Sequence, residues 1–330
     1  MQDGVDSYTN WEEIGKGAFG KVYSVKKDGY LYAIKRLHLS HMQALDMYRD
    51  EIRPLVDLTK HKHDHILMYI DDFFYQDSKI PANKGKPTNS DRSLWLVMDF
   101  CPLGTMNNFL LRPENISHTV LFMKQVADAV DFLHGHEIVH GDLKPDNVLV
   151  SGTVQDPVAK VADFGLSKAC RNAITDNGHS MQRLNWYGAP EVFKRFNSLY
   201  TKESDVYSMG AMFAAMLDRT TVRGDDGKLL LAVYMVHPQS MTEPVCFLKP
   251  VGMVQTVSGT VQPTYTVQPM GKVPVGRVQH QIPNTNLSGC IMMQQPNDCL
   301  KQLILEMMAY SAPNRPTAQQ VKWALNITHD

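Results

Sequence analysis

The residues best suited to chemistry stand together in His140-Gly141-Asp142-Leu143-Lys144-Pro145-Asp146-Asn147. An aspartate, a lysine and an asparagine at 142, 144 and 147 can converge from one tight loop. Downstream, Asp163-Phe164-Gly165 follows a strand-like stretch, so a second carboxylate can face that loop. The set supplies a base directed at a hydroxyl, a cation directed at a phosphate and two oxygen ligands for Mg²⁺. Those are the minimal parts for moving the γ-phosphoryl group of ATP, a reaction that depends on positioning and charge stabilisation.

Several elements must hold nucleotide and metal over that loop. Val148-Leu149-Val150 and Ala159-Lys160-Val161-Ala162 read as short strands bracketing a turn, and the second delivers Asp163. His118 to Glu137 reads as an amphipathic helix with Leu121, Phe122, Val126, Ala129, Val130 and Leu133 on one side. Near the start, Gly15-Lys16-Gly17-Ala18-Phe19-Gly20 forms a glycine turn between strand residues, with Ile14 before it and Val22-Tyr23 after it. Glycines let backbone amides approach phosphate oxygens, although this pattern alone also fits an ordinary β-turn. It does not open a helix, which argues against a dinucleotide-binding fold. Leu31 to Lys35 reads as a strand ending in a lysine. A helical pattern over residues 46–60 offers Glu51 as that lysine's partner, with Asp50 as the competing acid. Leu94 to Met98 reads as a buried strand, and Asp99 to Gly104 as a connector whose backbone groups can pair with an adenine edge. The histidines at 61, 63 and 65 read as a turn before a strand rather than a metal site. A helix is expected near Leu229 to Met235, and helical spacing resumes at Cys299 to Tyr310 and Thr317 to Ile327.

Composition narrows the classes. With 330 residues and 43% hydrophobic content, the chain can fill two cores. Lys plus Arg is 33 and Asp plus Glu is 34, which gives no electrostatic case for nucleic acid or an anionic membrane. The longest apolar run, Met209 to Leu217, is too short to span a bilayer, so no membrane insertion is expected. The polar first ten residues do not read as a secretory signal. The odd number of cysteines without a CxxC pair fits reduced thiols and an intracellular location, nucleus or cytoplasm, with no basic run to choose between them.

Seven motifs occur in one order: Gly15 through Val22, Ala33-Ile34-Lys35, His140 through Asn147, Asp163-Phe164-Gly165, Ala189-Pro190-Glu191, Asp205 through Gly210, and Arg315-Pro316. In that order the chain resembles a eukaryotic protein kinase from about Tyr8 to Leu325. Residues 98–101, 144–151 and 160–168 are similar to the PDLIM-interacting kinase-like group of Ser/Thr kinases. The resemblance implies an α+β, bilobal fold. A short extension (1–7) would precede a small, mainly antiparallel β N-lobe with one helix (8–98). A hinge (99–104) would lead into a larger, mainly α-helical C-lobe (105–330).

The resemblance also implies roles. Asp142 would orient the substrate hydroxyl and accept its proton, and Lys144 would neutralise the migrating phosphoryl. Asn147 and Asp163 would hold Mg²⁺. Lys35, paired with Glu51, would fix the α- and β-phosphates of ATP, capped by Gly15, Gly17 and Gly20. Ile14, Val22, Ala33 and Leu149 would enclose adenine, with Met98 behind it and Asp99, Phe100 and Cys101 presenting the hinge. Asp205 would brace the catalytic loop, and Glu191 and Arg315 would form a structural pair. Lys144-Pro145 resembles the Ser/Thr branch, so the expected partners are proteins with Ser or Thr acceptors.

The chain departs from the family pattern in three places. Gly141 replaces the arginine that normally meets an activation-loop phosphate, so phosphorylation of Ser167, Thr175 or Ser180 is not expected to be required. As ordinary backbone, Gly141 would loosen the loop by about 1 kcal/mol relative to Ala. Leu184 replaces a threonine that normally bonds the catalytic Asp and Lys. Residues 237–297 form a nearly acid-free insertion in which Thr-Val-Gln-Pro at 260–263 recurs at 266–269. That insertion is either a docking segment for a partner or a tolerated surface loop. Two other readings stay open: a pseudokinase that binds nucleotide with little transfer, and a small-molecule kinase of related fold, against which Ala189-Pro190-Glu191 argues.

Overall fold

The protein is described by a computed structural model over residues 7–17, 20–38, 53–59, 61–76, 92–164, 187–193, 200–223, 227–232, 248–255, 261–267 and 298–327. Glu51, Leu184, Ser167, Thr175 and Ser180 lie outside these described residues.

Strand periodicity builds the first lobe. β1 (Thr9–Gly17), β2 (Gly20–Lys27) and β3 (Tyr30–His38) follow one another as antiparallel neighbours. After α1 (Arg53–Thr59) come β4 (Tyr69–Gln76) and β5 (Arg92–Asp99), giving the sheet order β1-β2-β3-β5-β4. β5 is apolar from Leu94 to Met98 because both of its faces are covered there. Leu94, Leu96 and Met98 enter the main core, while Trp95 and Val97 join Tyr8, Val25, Ile34 and Phe73 on the opposite face. The period-two alternation of a strand divides one run between two cores.

The second lobe is built around two helices. α2 (Met106–Leu110) and a 3₁₀ turn lead into α3 (Thr119–Gly135), whose Phe122, Met123, Val126, Ala127, Val130 and Leu133 are buried. β6 (Val148–Gly152) and β7 (Pro157–Val161) form a hairpin beside it. α4 (Lys202–Asp218) is buried on all sides from Ser204 to Met216, as a helix through the middle of a core is. It starts with a Thr201/Ser204 capping box and stops at Arg219, whose φ of 55° leaves the helical region. α5 (Asp298–Met307) crosses it so closely that a Cβ on Gly210 would lie 2.8 Å from Met307 Cβ. α6 (Ala318–Ile327) closes the lobe against α3. The bilobal α+β architecture is therefore the one expected.

One expected element is different. Leu229 to Met235 was expected as a helix, but Leu229–Ala232 is a strand, β9, paired antiparallel with β8 (Thr220–Arg223). A short apolar run fits either state, and its pairing partner decides. Within the insertion, β10 (Leu248–Gln255) and β11 (Val261–Val267) are strands, and β11 runs parallel to β8 in a β10-β11-β8-β9 sheet.

Candidate active site

The catalytic loop is held from below by one buried carboxylate. Asp205, on the first turn of α4, accepts the backbone N–H of His140 at 2.7 Å on Oδ2 and that of Gly141 at 2.9 Å on Oδ1. His134, at the end of α3, stands 3.1 Å from the same Oδ2. The His140 ring is buried and accepts the Asp142 N–H on Nδ1 at 3.2 Å. Its Nε2 must then carry the proton, which it donates to Ala162 O at 3.0 Å. The loop is thus tied both to α4 and to the residue before Asp163.

That frame brings the expected residues together. Lys144 Nζ lies 2.7 Å from Asp142 Oδ2. Asn147 Nδ2 donates to Asp142 O at 2.7 Å and to Asp142 Oδ2 at 2.9 Å. Both amide protons are then spent on Asp142, which leaves Asn147 Oδ1 as the oxygen available to a metal. Asp163 adds a second hard oxygen. One carboxylate and one amide oxygen suit Mg²⁺, which completes its shell with water and phosphate. Among the described residues no group of three or more His, Cys, Asp or Glu is placed to hold a metal ion.

Lys35 crosses the cleft from β3, with its Nζ 2.6 Å from Asp163 Oδ1. The ammonium is nearly buried. Burial pushes the Asp163 carboxyl up, but Lys35, with His140 and Lys144 behind it, holds it below the usual carboxylate value. Asp163 also adopts a φ of 59°, a left-handed conformation that an L residue rarely takes. The following Phe164 is fully buried and meets Tyr69 edge-on at 6.1 Å.

The residues expected around nucleotide fall in register above this loop. Gly15 pairs with Val22, Gly17 with Gly20, Val22 with Lys35, and Ala33 with Met98. Ile14 is exposed. Ala33 and Met98 are buried, while Val22 and Leu149 are half-buried and pack against the same core. Gly20 has a structural reason to be glycine: with φ of 142°, its Cβ would overlap Arg36 O at 1.7 Å. A Cβ on Gly15 would make only ordinary contact with Val22, so packing does not demand a glycine there. Asp99 N–H donates to Met68 O and Cys101 O accepts from Gly104, which shapes the connector. Burial raises the Asp99 carboxyl against the pull of Lys160. Burial, with Asp99 next, pushes the Cys101 thiol up to about 12, so it stays protonated and inert.

Gly141 needs a correction. It was expected to loosen the loop as ordinary backbone, but its φ is 74°. There glycine is the unstrained choice, and Ala would carry the cost. Glu191 and Arg315 form the expected pair, bidentate at 2.6 and 2.8 Å, with the Arg315 side chain fully buried. Sequence reasoning missed His134 on Asp205, Lys228 on Asp146, and Asn107, which grips Leu229 O and Leu231 N. Each joins residues far apart in the chain and leaves no spacing signal.

A family profile described as protein kinase domain matches residues 8–324. The chain is also similar to the interferon-induced, double-stranded RNA-activated protein kinase of Rattus norvegicus. The two are 30% identical over 221 residues, covering 62% of this chain and 40% of the relative. The chain therefore spans well under half of that relative's length.

Proposed function

We propose, from the premise that this chain belongs to the protein kinase domain family, that it transfers the γ-phosphoryl group of ATP to serine and threonine hydroxyls of proteins. The observation that carries this reading is the Asp142–Lys144–Asn147 cluster, closed by bonds of 2.7 to 2.9 Å, with Lys35 and Asp163 paired across the cleft. Asp142 orients the acceptor hydroxyl and takes its proton. Lys144 lies beside it and offsets charge on the phosphoryl in flight. Lys35 serves the α- and β-phosphates, and Glu51 is its proposed partner on the helix. The glycines at 15, 17 and 20 bring backbone amides over the phosphates, and Met98, Asp99 and Cys101 with Ile14, Val22, Ala33 and Leu149 receive adenine. Asn147 and Asp163 would hold Mg²⁺, which would supply charge neutralisation at the phosphate oxygens.

The Ser/Thr choice rests on Lys144-Pro145, and placement near the PDLIM-interacting kinase-like group rests on the stretches quoted for it. Gly141 offers no cation to an activation-loop phosphate, so an alanine triple variant at Ser167, Thr175 and Ser180 should keep most of the wild-type rate. A loss of several orders would sink that point. Residues 237–297 are the proposed docking segment for a partner, supported by their composition and by strands β10 and β11. Their deletion should spare transfer to short peptides. An intracellular location, nucleus or cytoplasm, rests on the thiol content alone.

The deciding experiment is labelling of the protein itself and of a generic Ser/Thr substrate from Mg²⁺-ATP, with Asp142→Asn alongside. Phosphoserine or phosphothreonine in the wild type and not in the variant supports transfer. No label in either, with Mg²⁺-ATP still raising the melting temperature, makes the chain a nucleotide-binding scaffold.

A further inference from the structure

Asp146 sits between Lys144 and Asn147, yet phosphoryl transfer makes no use of it. Its carboxylate is paired with Lys228 Nζ, and both side chains keep some solvent exposure. Lys228 comes from the entry to β9, eighty-two residues away in the chain. Its position there is set by several contacts. Asn107 Nδ2 donates to Leu229 O at 2.9 Å, and the Leu231 N–H donates to Asn107 Oδ1 at 2.8 Å. Tyr187 donates its hydroxyl to Leu231 O. Burial, with the Asp146 charge next, pushes the Tyr187 hydroxyl up, so the carboxylate lies within electrostatic reach of that ring. Asp146 and Lys228 therefore occupy the corner where the catalytic loop, β9 and the segment starting at Tyr187 meet.

A partly exposed ion pair contributes little to folding, between zero and about 1 kcal/mol. Its placement has a larger consequence. The segment starting at Tyr187 borders this corner, so a polypeptide that lies along it while presenting a hydroxyl to Asp142 would pass Asp146. A bare carboxylate there would attract a lysine or, in bidentate fashion, an arginine of the substrate. Resting on the transfer reading above, we propose that Lys228 is a specificity-determining residue: it occupies the Asp146 carboxylate and removes selection for basic residues beside the acceptor. The substrate class is a Ser/Thr segment without a required Arg or Lys at that subsite.

The test uses the full chain and its Lys228→Ala, Lys228→Gln and Lys228→Ala/Asp146→Asn variants. Peptide pairs differ only by Arg or Gln, scanned across the positions flanking the acceptor. Binding is read by fluorescence anisotropy in Mg²⁺ and a non-hydrolysable ATP analogue, with Ala in place of the acceptor. Turnover is read with Ser restored. The Arg-to-Gln preference should be near unity in the wild type and rise about fivefold in both single variants, the size of one partly screened charge pair. It should return toward unity in the double variant and shrink in high salt. A preference that neither single variant moves, or that moves equally in the double variant, overturns the assignment. If binding preference shifts while no protein transfers phosphate, the subsite stands and the transfer reading falls. If phosphate is transferred with an unchanged preference, the reverse holds.

Discussion

Replacing Asp205 with asparagine isolates the strut beneath the catalytic loop. The side chain is buried, and its two oxygens accept three donors: His140 N, Gly141 N and His134 Nε2. An asparagine keeps one oxygen. Placed at Oδ2, that oxygen still receives His140 N at 2.7 Å and His134 at 3.1 Å. The amide nitrogen then faces the Gly141 N–H, donor against donor. One hydrogen bond to a charged acceptor is lost, worth about 1.5–3 kcal/mol, and a buried N–H is left unsatisfied at about 1–3 kcal/mol. The two costs overlap, so the expected destabilisation is about 3 kcal/mol. For a protein of 330 residues that is a fall in Tm of roughly 4 °C. Asp142 follows Gly141 directly, so the damage reaches the reacting group. A displacement of ~1 Å there costs on the order of 100-fold in rate. The nucleotide contacts proposed for β1–β3 are untouched, so kcat should fall while the KM for ATP holds. Differential scanning fluorimetry and initial-rate kinetics measure both. A Tm within about 1 °C of wild type, or a kcat within about threefold, would refute the view that the carboxylate holds the loop in place. Asp205→Ala combined with His134→Leu should show a coupling of about 1 kcal/mol, because both changes strike one shared contact.

Four further outcomes are expected. Gly141→Ala should destabilise the protein by about 1–2 kcal/mol, because φ of 74° is unfavourable for an L side chain; a neutral or stabilising effect in urea denaturation would mean the backbone there is ordinary. Arg315→Lys should cost about 3 kcal/mol, since an ammonium cannot reproduce the two bonds to Glu191 together with those to Glu203 O and Ala309 O from a buried position; chemical denaturation reads it directly. His63 and His65 are both held below the ordinary histidine value, chiefly by burial and against the pull of Asp128. A lowered folded value means the unfolded chain takes the proton first. Their contribution is therefore complete above the unfolded value of about 6.5 and declines as pH falls toward and through the folded values. Tm should drop between pH 7.5 and 5, and His63→Asn/His65→Gln should flatten that slope. An equally steep slope in the double variant would assign it to other groups. The Asp163 carboxyl, also lowered, acts in a separate window: its contribution is present above about pH 4, the ordinary carboxylate value, and is lost in stronger acid.

What could be read from the chain follows from how far apart the interacting residues lie. Asp142, Lys144 and Asn147 come from one loop, so their spacing alone predicted that they meet, and they do so within 3 Å. Asp163 was legible because a short hairpin, β6 and β7, connects it to that loop. The first-lobe strands were legible because alternation such as that of β5 is local. Leu229–Ala232 was not, since its apolar run satisfies either period and the decision lies with β8 and with Asn107. The same non-local strand carries Lys228 to Asp146. Charges inside the catalytic loop are therefore set by two different distances along the chain. Lys144 comes with the motif, whereas Lys228 arrives from a hairpin that the motif does not specify. Two chains with an identical catalytic loop can then share the same transfer chemistry and differ in the charge a substrate meets beside it. The group that makes that difference is found only once the fold has brought β9 to the loop.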